Sequence, residues 1–119
     1  MSRALKIKDP EGLYFVTFTV VNWIDLFIRK TYKDLLIDSL KHCQENKGLV
    51  VHAFVIMTSH VHLIVSRKPD GGLLSDTIRN FKKYTSGKLL KAIKETPESR
   101  REWLLRAFGE AGRNNPNNS

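Results

Sequence analysis

Two apolar runs with strand character lie only two residues apart: residues 49–57, then Thr58-Ser59, then His60-Val61-His62-Leu63-Ile64-Val65. So short a linker permits little except an antiparallel hairpin, and the rest of the chain must be arranged around that sheet. Side chains alternate along a strand, so Val61, Leu63 and Val65 take one face while His60 and His62 share the other, roughly 7 Å apart. Two imidazoles placed in this way can hold one divalent ion and leave positions for a third protein group, water or a phosphate oxygen. A half-exposed strand carrying two solvated histidines has the same pattern, so the pair alone does not settle the chemistry.

The segments around the hairpin have their own signals. Tyr14-Phe15-Val16-Thr17-Phe18-Thr19-Val20-Val21 is rich in β-branched and aromatic residues and follows the turn signal Asp9-Pro10-Glu11-Gly12, which predicts a first strand. Thr31 offers an N-cap with Asp34 three residues on, and Leu35, Leu36, Leu40 and Cys43 recur at helical spacing until Gly48, giving a helix over about 31–47. Past Pro69-Asp70-Gly71-Gly72, the positions Leu74, Ile78, Phe81, Leu89, Ala92 and Ile93 mark an amphipathic helix over about 73–94. Thr96 as N-cap and Pro97 at the first helical position open another helix, with Trp103, Leu104, Ala107 and Phe108 on its apolar side. The order β-α-β-β-α-α predicts an α+β fold, a ferredoxin/RRM-like antiparallel sheet with helices packed on one face. With 119 residues, one domain over 1–111 is expected, followed by a polar, breaker-rich tail over 112–119 that is expected to be disordered.

Lys and Arg number 20 against 12 Asp and Glu, a net charge of +8 that favours a polyanionic partner. From Arg79 to Arg113 there are ten basic residues and four acidic ones, and Arg79, Lys82, Lys83, Lys88, Lys91, Arg100 and Arg101 are the candidates for binding DNA. A solvated helical surface would account for the charge equally well. Cys43 is the only cysteine, which excludes a disulfide framework and a cysteine-based zinc site and suits a reducing cytosol. No run approaches ~18 apolar residues, so a soluble, intracellular protein without a membrane span is expected. His52 shares a strand face with Val50, Phe54 and Ile56 on strict alternation and reads as structural, as does His42 on the first helix.

Tyr84 falls about 60° before Phe81 around the long helix, on the shoulder of the apolar stripe, with Asn80 one turn before it and Lys88 one turn after. A boundary tyrosine with its hydroxyl in water fits this position. Together, Met57-Thr58-Ser59-His60-Val61-His62-Leu63-Ile64 and the later Phe81-Lys82-Lys83-Tyr84-Thr85-Ser86 resemble the single-tyrosine HUH transposases (transposase IS200-like), most closely their REP-associated branch, over roughly residues 13–109. The resemblance implies a metal-dependent endonuclease and strand transferase acting on single-stranded or hairpin DNA. It implies His60 and His62 as ligands of magnesium or manganese, and Tyr84 as a nucleophile that forms a 5′-phosphotyrosine and frees a 3′-hydroxyl. An ordinary tyrosine is ionised at pH 7 at a cost of about 4 kcal/mol, and a metal on the phosphoryl oxygens or a cation such as Lys88 would lower the barrier.

Two positions depart from the pattern. Thr58-Ser59 stands where such loops usually read Pro-Asn. Lys88 occupies the place of a polar third ligand and cannot ligate while protonated, which leaves Asn80 or water for that role. The aromatic and histidine tail of REP-associated members is also missing, as in a truncated or naturally short copy. The resemblance implies a cytoplasmic, nucleoid-associated protein, either a homodimer whose tyrosine helix serves the partner's histidines or a monomer. The competing readings are a non-catalytic or domesticated single-stranded nucleic-acid-binding module, with Tyr14, Phe18 or Trp23 as stacking platforms, and a metallohydrolase of small phosphoesters.

Overall fold

The computed structural model describes residues 12–69 and 72–114. Their order is β1 (Tyr14–Thr19), α1 (Lys30–Asn46), β2 (Leu49–Ile56), β3 (His60–Arg67), α2 (Leu74–Glu95) and α3 (Arg101–Asn114), with short 3-10 turns at Val21–Trp23 and Leu26–Ile28. The strands form one antiparallel sheet in the order β1-β3-β2, so the histidine strand is central. This is the α+β arrangement expected from the order of the elements.

Alternation decides what each face does. Val16 and Phe18 of β1 and Val61, Leu63 and Val65 of β3 are buried in one core with Leu36, Leu40 and Cys43 of α1 and Leu74, Ile78, Phe81, Leu89 and Ile93 of α2. The Phe18 and Phe81 rings lie 5.2 Å apart, which fixes α2 beneath β1. Burial of each such side chain is worth about 1.5–3 kcal/mol, and this sets the orientation of the sheet. The opposite face carries Phe15, Thr17, Thr19, His60, His62 and Ile64, all half-buried or exposed.

The hairpin turns through Met57, Thr58 and Ser59, with the Met57 N–H donating to the His60 carbonyl at 2.8 Å. Gly48, at φ 72°, ends the α1 segment in the left-handed region that glycine tolerates best. Three expectations change in detail. Thr31 does not cap α1: the helix starts at Lys30 after Arg29, and Asp34 accepts from Lys30 instead. Thr96 closes α2 rather than opening α3, since its N–H and hydroxyl both donate to the Ala92 carbonyl. A register shift between Val51 and Ala53 breaks the alternation of β2, so Phe54 and Ile56 pair with core residues Leu63 and Val61 while His52 swings out to Ser66, Nε2 to Oγ 2.8 Å. His52 is therefore exposed on the open side. The bulge could not be read from the periodicity, because an inserted residue reverses the phase of everything beyond it. Helix α3 continues past Gly112 to Asn114, while residues 115–119 and most of the Asp9–Gly12 turn signal lie outside the described residues.

Candidate metal and nucleic-acid face

His60 and His62 lie side by side on the open face, their rings 4.9 Å apart and nearly perpendicular at 80°. Each Nδ1 meets a hydroxyl at 3.1 Å: Ser59 Oγ for His60, and Thr17 Oγ1, from the paired position on β1, for His62. In the tautomer whose Nδ1–H donates to that hydroxyl, each Nε2 keeps its lone pair, the form a metal requires. No other hydrogen bond engages either ring among the described residues. Aromatic rings flank the pair, with Phe15 5.5 Å from His62 and Trp23 edge-on at 5.6 Å from His60. Phe15 is 66% and Trp23 67% exposed.

The segment that carries Trp23 is held in an unusual conformation. Asn22 and Trp23 both have positive φ, 58° and 55°, a conformation that costs non-glycine residues about 1–2 kcal/mol each. Hydrogen bonds compensate: the Val20 N–H donates to the Ser59 carbonyl, the Phe27 N–H to the Thr58 carbonyl, and the Thr58 hydroxyl to Asp25 at 2.8 Å. Thr58 and Ser59 thus tie the turn after β1 to the histidine hairpin. Sequence reasoning missed Phe15, Thr17 and this tie. Alternation along β1 was the signal for the first two, since it places them opposite Ile64 and His62.

Tyr84 is not on this face. Its ring stacks on His42 of α1, centroids 4.2 Å apart and 4° from parallel, with Lys88 Nζ 5.4 Å from its centroid. That places it in the helical layer, across the sheet from the histidines. The other two tyrosines do not replace it. Tyr32 is fully buried and donates to Glu98 at 3.0 Å, and burial together with that bond pushes its hydroxyl above the ordinary tyrosine value. Tyr14 is half-buried against the core. Asn80 also lies apart, in a cleft with Lys47, Gly48, Lys68 and Leu73 where α1 gives way to β2. The Thr77 hydroxyl pins α2 there by donating to the Lys47 carbonyl at 2.9 Å.

The basic candidates divide into groups. Arg100 pairs with Glu98, and Arg101 donates to the Ile93 and Thr96 carbonyls at the end of α2, so both hold the fold together. Arg79 pairs with Asp76 on the surface. Lys82 lies 5.7 Å from the Phe18 ring centre, and partial burial lowers its ammonium pKa. Lys83 and Lys91 are exposed on the side of α2 turned away from its buried stripe. Phe18, a suggested stacking platform, is buried. Among the described residues no helix is long and apolar enough to cross a membrane.

Comparison with known proteins agrees with this architecture. A REP-associated tyrosine transposase bound to a REP hairpin superposes with a TM-score of 0.59 at 20% identity, covering 74% of this chain and 53% of that one. The chain therefore spans about half of that transposase's length. A Deinococcus radiodurans protein assigned as a transposase gives a TM-score of 0.60 at 16% identity, covering 93% of this chain and 97% of that one. No curated protein matches the sequence. The family model for IS200-like transposases matches residues 14–108, which takes in every strand among the described residues and most of α3, and the chain belongs to that family.

Proposed function

We propose that this chain supplies the DNA-binding and metal-holding part of an IS200-like strand transferase. Single-stranded or hairpin DNA lies across the open sheet face, and His60 and His62 hold one magnesium or manganese ion. The observation that carries this reading is the pair itself: adjacent imidazoles, each braced at Nδ1, between two exposed aromatic rings. The REP hairpin bound by the similar transposase supports DNA as the partner, which would place the protein at the nucleoid in the cytoplasm.

The residues fit half of a metal site. No group of three His, Cys, Asp or Glu side chains forms one among the described residues, so water and phosphate oxygens would complete the coordination. Such an ion, when bound, polarises a phosphodiester. The chain's own contribution is to fix both rings through Thr17 and Ser59, and to offer Phe15 and Trp23 as platforms for unpaired bases.

The covalent step implied for Tyr84 is not built within one copy, because Tyr14, Tyr32 and Tyr84 all lie away from the open face. In this reading the nucleophile comes from a second copy or from polypeptide beyond this fold. The same observation favours a second reading, a binding module without catalysis. Incubating a labelled single-stranded hairpin with the protein and magnesium or manganese, then comparing native and denaturing gels, separates the possibilities. The expected result is a retarded strand with no protein-linked product at concentrations where the chain is monomeric. Product that appears only as copies associate assigns the tyrosine in trans, and its absence at every concentration leaves the binding module. A Tyr84 adduct formed at high dilution contradicts the geometry.

A further inference from the structure

We propose that the cleft between the Val21–Trp23 turn and α3 is a pocket for one unpaired nucleobase, held against Trp23 and Trp103. The proposal rests on the histidine-face reading above and extends it to how the strand is recognised. The cleft has a volume of about 400 Å³, within the ~300–1,000 Å³ range of ligand pockets, and its lining includes Trp23, Trp103, Asn22, Asp25, Arg106 and Glu110.

Three observations converge on it. The chain has two tryptophans, and both line this cleft with more than half of their surface exposed, 67% for Trp23 and 53% for Trp103. The core does not need them, because Ile24, Leu26 and Leu104 are the buried residues of the same segments. Second, the left-handed backbone at Asn22 and Trp23 holds one indole outward, and strain of this kind collects where a side chain must be presented. Third, Trp23 meets the His60 ring edge-on, so one wall of the cleft borders the histidine pair.

The polar lining selects the occupant. Asp25 and Glu110 are two carboxylates beside the single guanidinium of Arg106, a balance that repels a phosphate. A neutral base suits it: the carboxylates accept from amino and ring N–H groups, while Arg106 and the Asn22 amide donate to ring nitrogens and carbonyls. A base with an exocyclic amino group therefore fits better than thymine. The two indoles provide stacking surface, as in proteins that bind single strands.

The test uses the full chain and a labelled DNA hairpin with a short single-stranded flank, in which each flank base is replaced in turn by an abasic site. One position is expected to weaken binding on the order of tenfold when its base is removed, with a smaller loss when thymine replaces it. Tryptophan emission, read in the Trp23→Phe variant so that it comes from Trp103 alone, is expected to be quenched as the strand binds. Trp103→Ala should abolish the position dependence while manganese binding is retained, and Trp103→Phe should keep part of it; Trp23→Ala should abolish the position dependence as well. Bound DNA with a flat abasic scan or unquenched emission overturns the pocket and leaves the histidine site standing. No binding of the hairpin by the wild-type chain overturns both.

Discussion

The face of the sheet that meets α1 and α2 is closed by Val16, Phe18, Val61, Leu63 and Val65, none more than 5% exposed, whereas the other face leaves Phe15 66% and Val55 54% exposed around two imidazoles. The same three strands build both. Burial explains most of the helical side: Phe18 meets Phe81, Tyr84 stacks on His42 and Glu98 pairs with Arg29 and Arg100, while the buried hydroxyls of Ser39 and Thr85 have no partner among the described residues. Folding accounts for much less of the open side. Exposed rings beside braced histidines gain nothing from the core, and an apolar patch with polar groups at its centre marks a surface kept for a partner. Tyr84 belongs to the first face and the histidine pair to the second, which divides the site expected from the sequence.

The largest expected effects fall on each face separately. On the helical side, the Glu98 side chain is completely buried and bound by Arg29, Arg100 and Tyr32. Burial pushes its carboxyl up, but hydrogen bonds from the Arg100 backbone and guanidinium and from the Tyr32 hydroxyl outweigh this and hold it at about 2. Its folded value lies below the unfolded one, so the stabilisation is complete above the ordinary glutamate range and is lost as pH falls toward 2. Denaturant melts should show about 3 kcal/mol lost across that window. Glu98→Gln should lose a similar amount at pH 7 and flatten the acid dependence. An unchanged melting profile would show that the network contributes no net stability.

On the open side, His60→Ala or His62→Ala should remove manganese binding in calorimetry while leaving the thermal midpoint nearly unchanged, since neither ring is in the core. Loss of the fold instead would turn the pair into a structural element. Thr17→Val removes only the brace on His62 and should weaken manganese about tenfold, the lower end for a group that orients a metal ligand. Unaltered affinity would mean that the hydroxyl plays no part in setting the ring.

Smaller effects sharpen the boundary between the faces. Tyr84→Phe keeps the stack on His42 and should change both stability and DNA affinity by less than about 0.5 kcal/mol. Tyr84→Ala removes the stack and should cost about 1 kcal/mol of stability with little change in binding. A large loss of DNA affinity in either variant would bring the helical layer into the interface. Lys83→Ala and Lys91→Ala should leave the salt dependence of DNA binding near that of the wild type, whereas a fall in slope of about one per lysine would place phosphates on that side.

Much of this division could be read from the residues. The two-residue gap before His60 implied the hairpin, and strict alternation placed His60 and His62 on one face and Val61, Leu63 and Val65 on the other. Helical periodicity correctly put Tyr84 on the shoulder of α2. Periodicity states which side of a helix a residue occupies, however, and not which neighbour that side meets; here the neighbour is His42. The turn carrying Trp23 was illegible because two consecutive left-handed residues follow no period, and they are held by Thr58 and Ser59 more than thirty residues away. The bulge at His52 and the Glu98 cluster were hidden for the same reason, since both depend on partners that only the folded chain brings together.

Paramagnetic broadening by manganese in a backbone-resolved NMR spectrum tests the division of faces most directly. The account predicts that substoichiometric manganese erases the amide signals of Thr17, Thr19, His60 and His62 first, dims Trp23 next, and spares His42, Tyr84 and Lys88 in the helical layer. Broadening centred on His42 and Tyr84, or spread evenly over the chain, would contradict it.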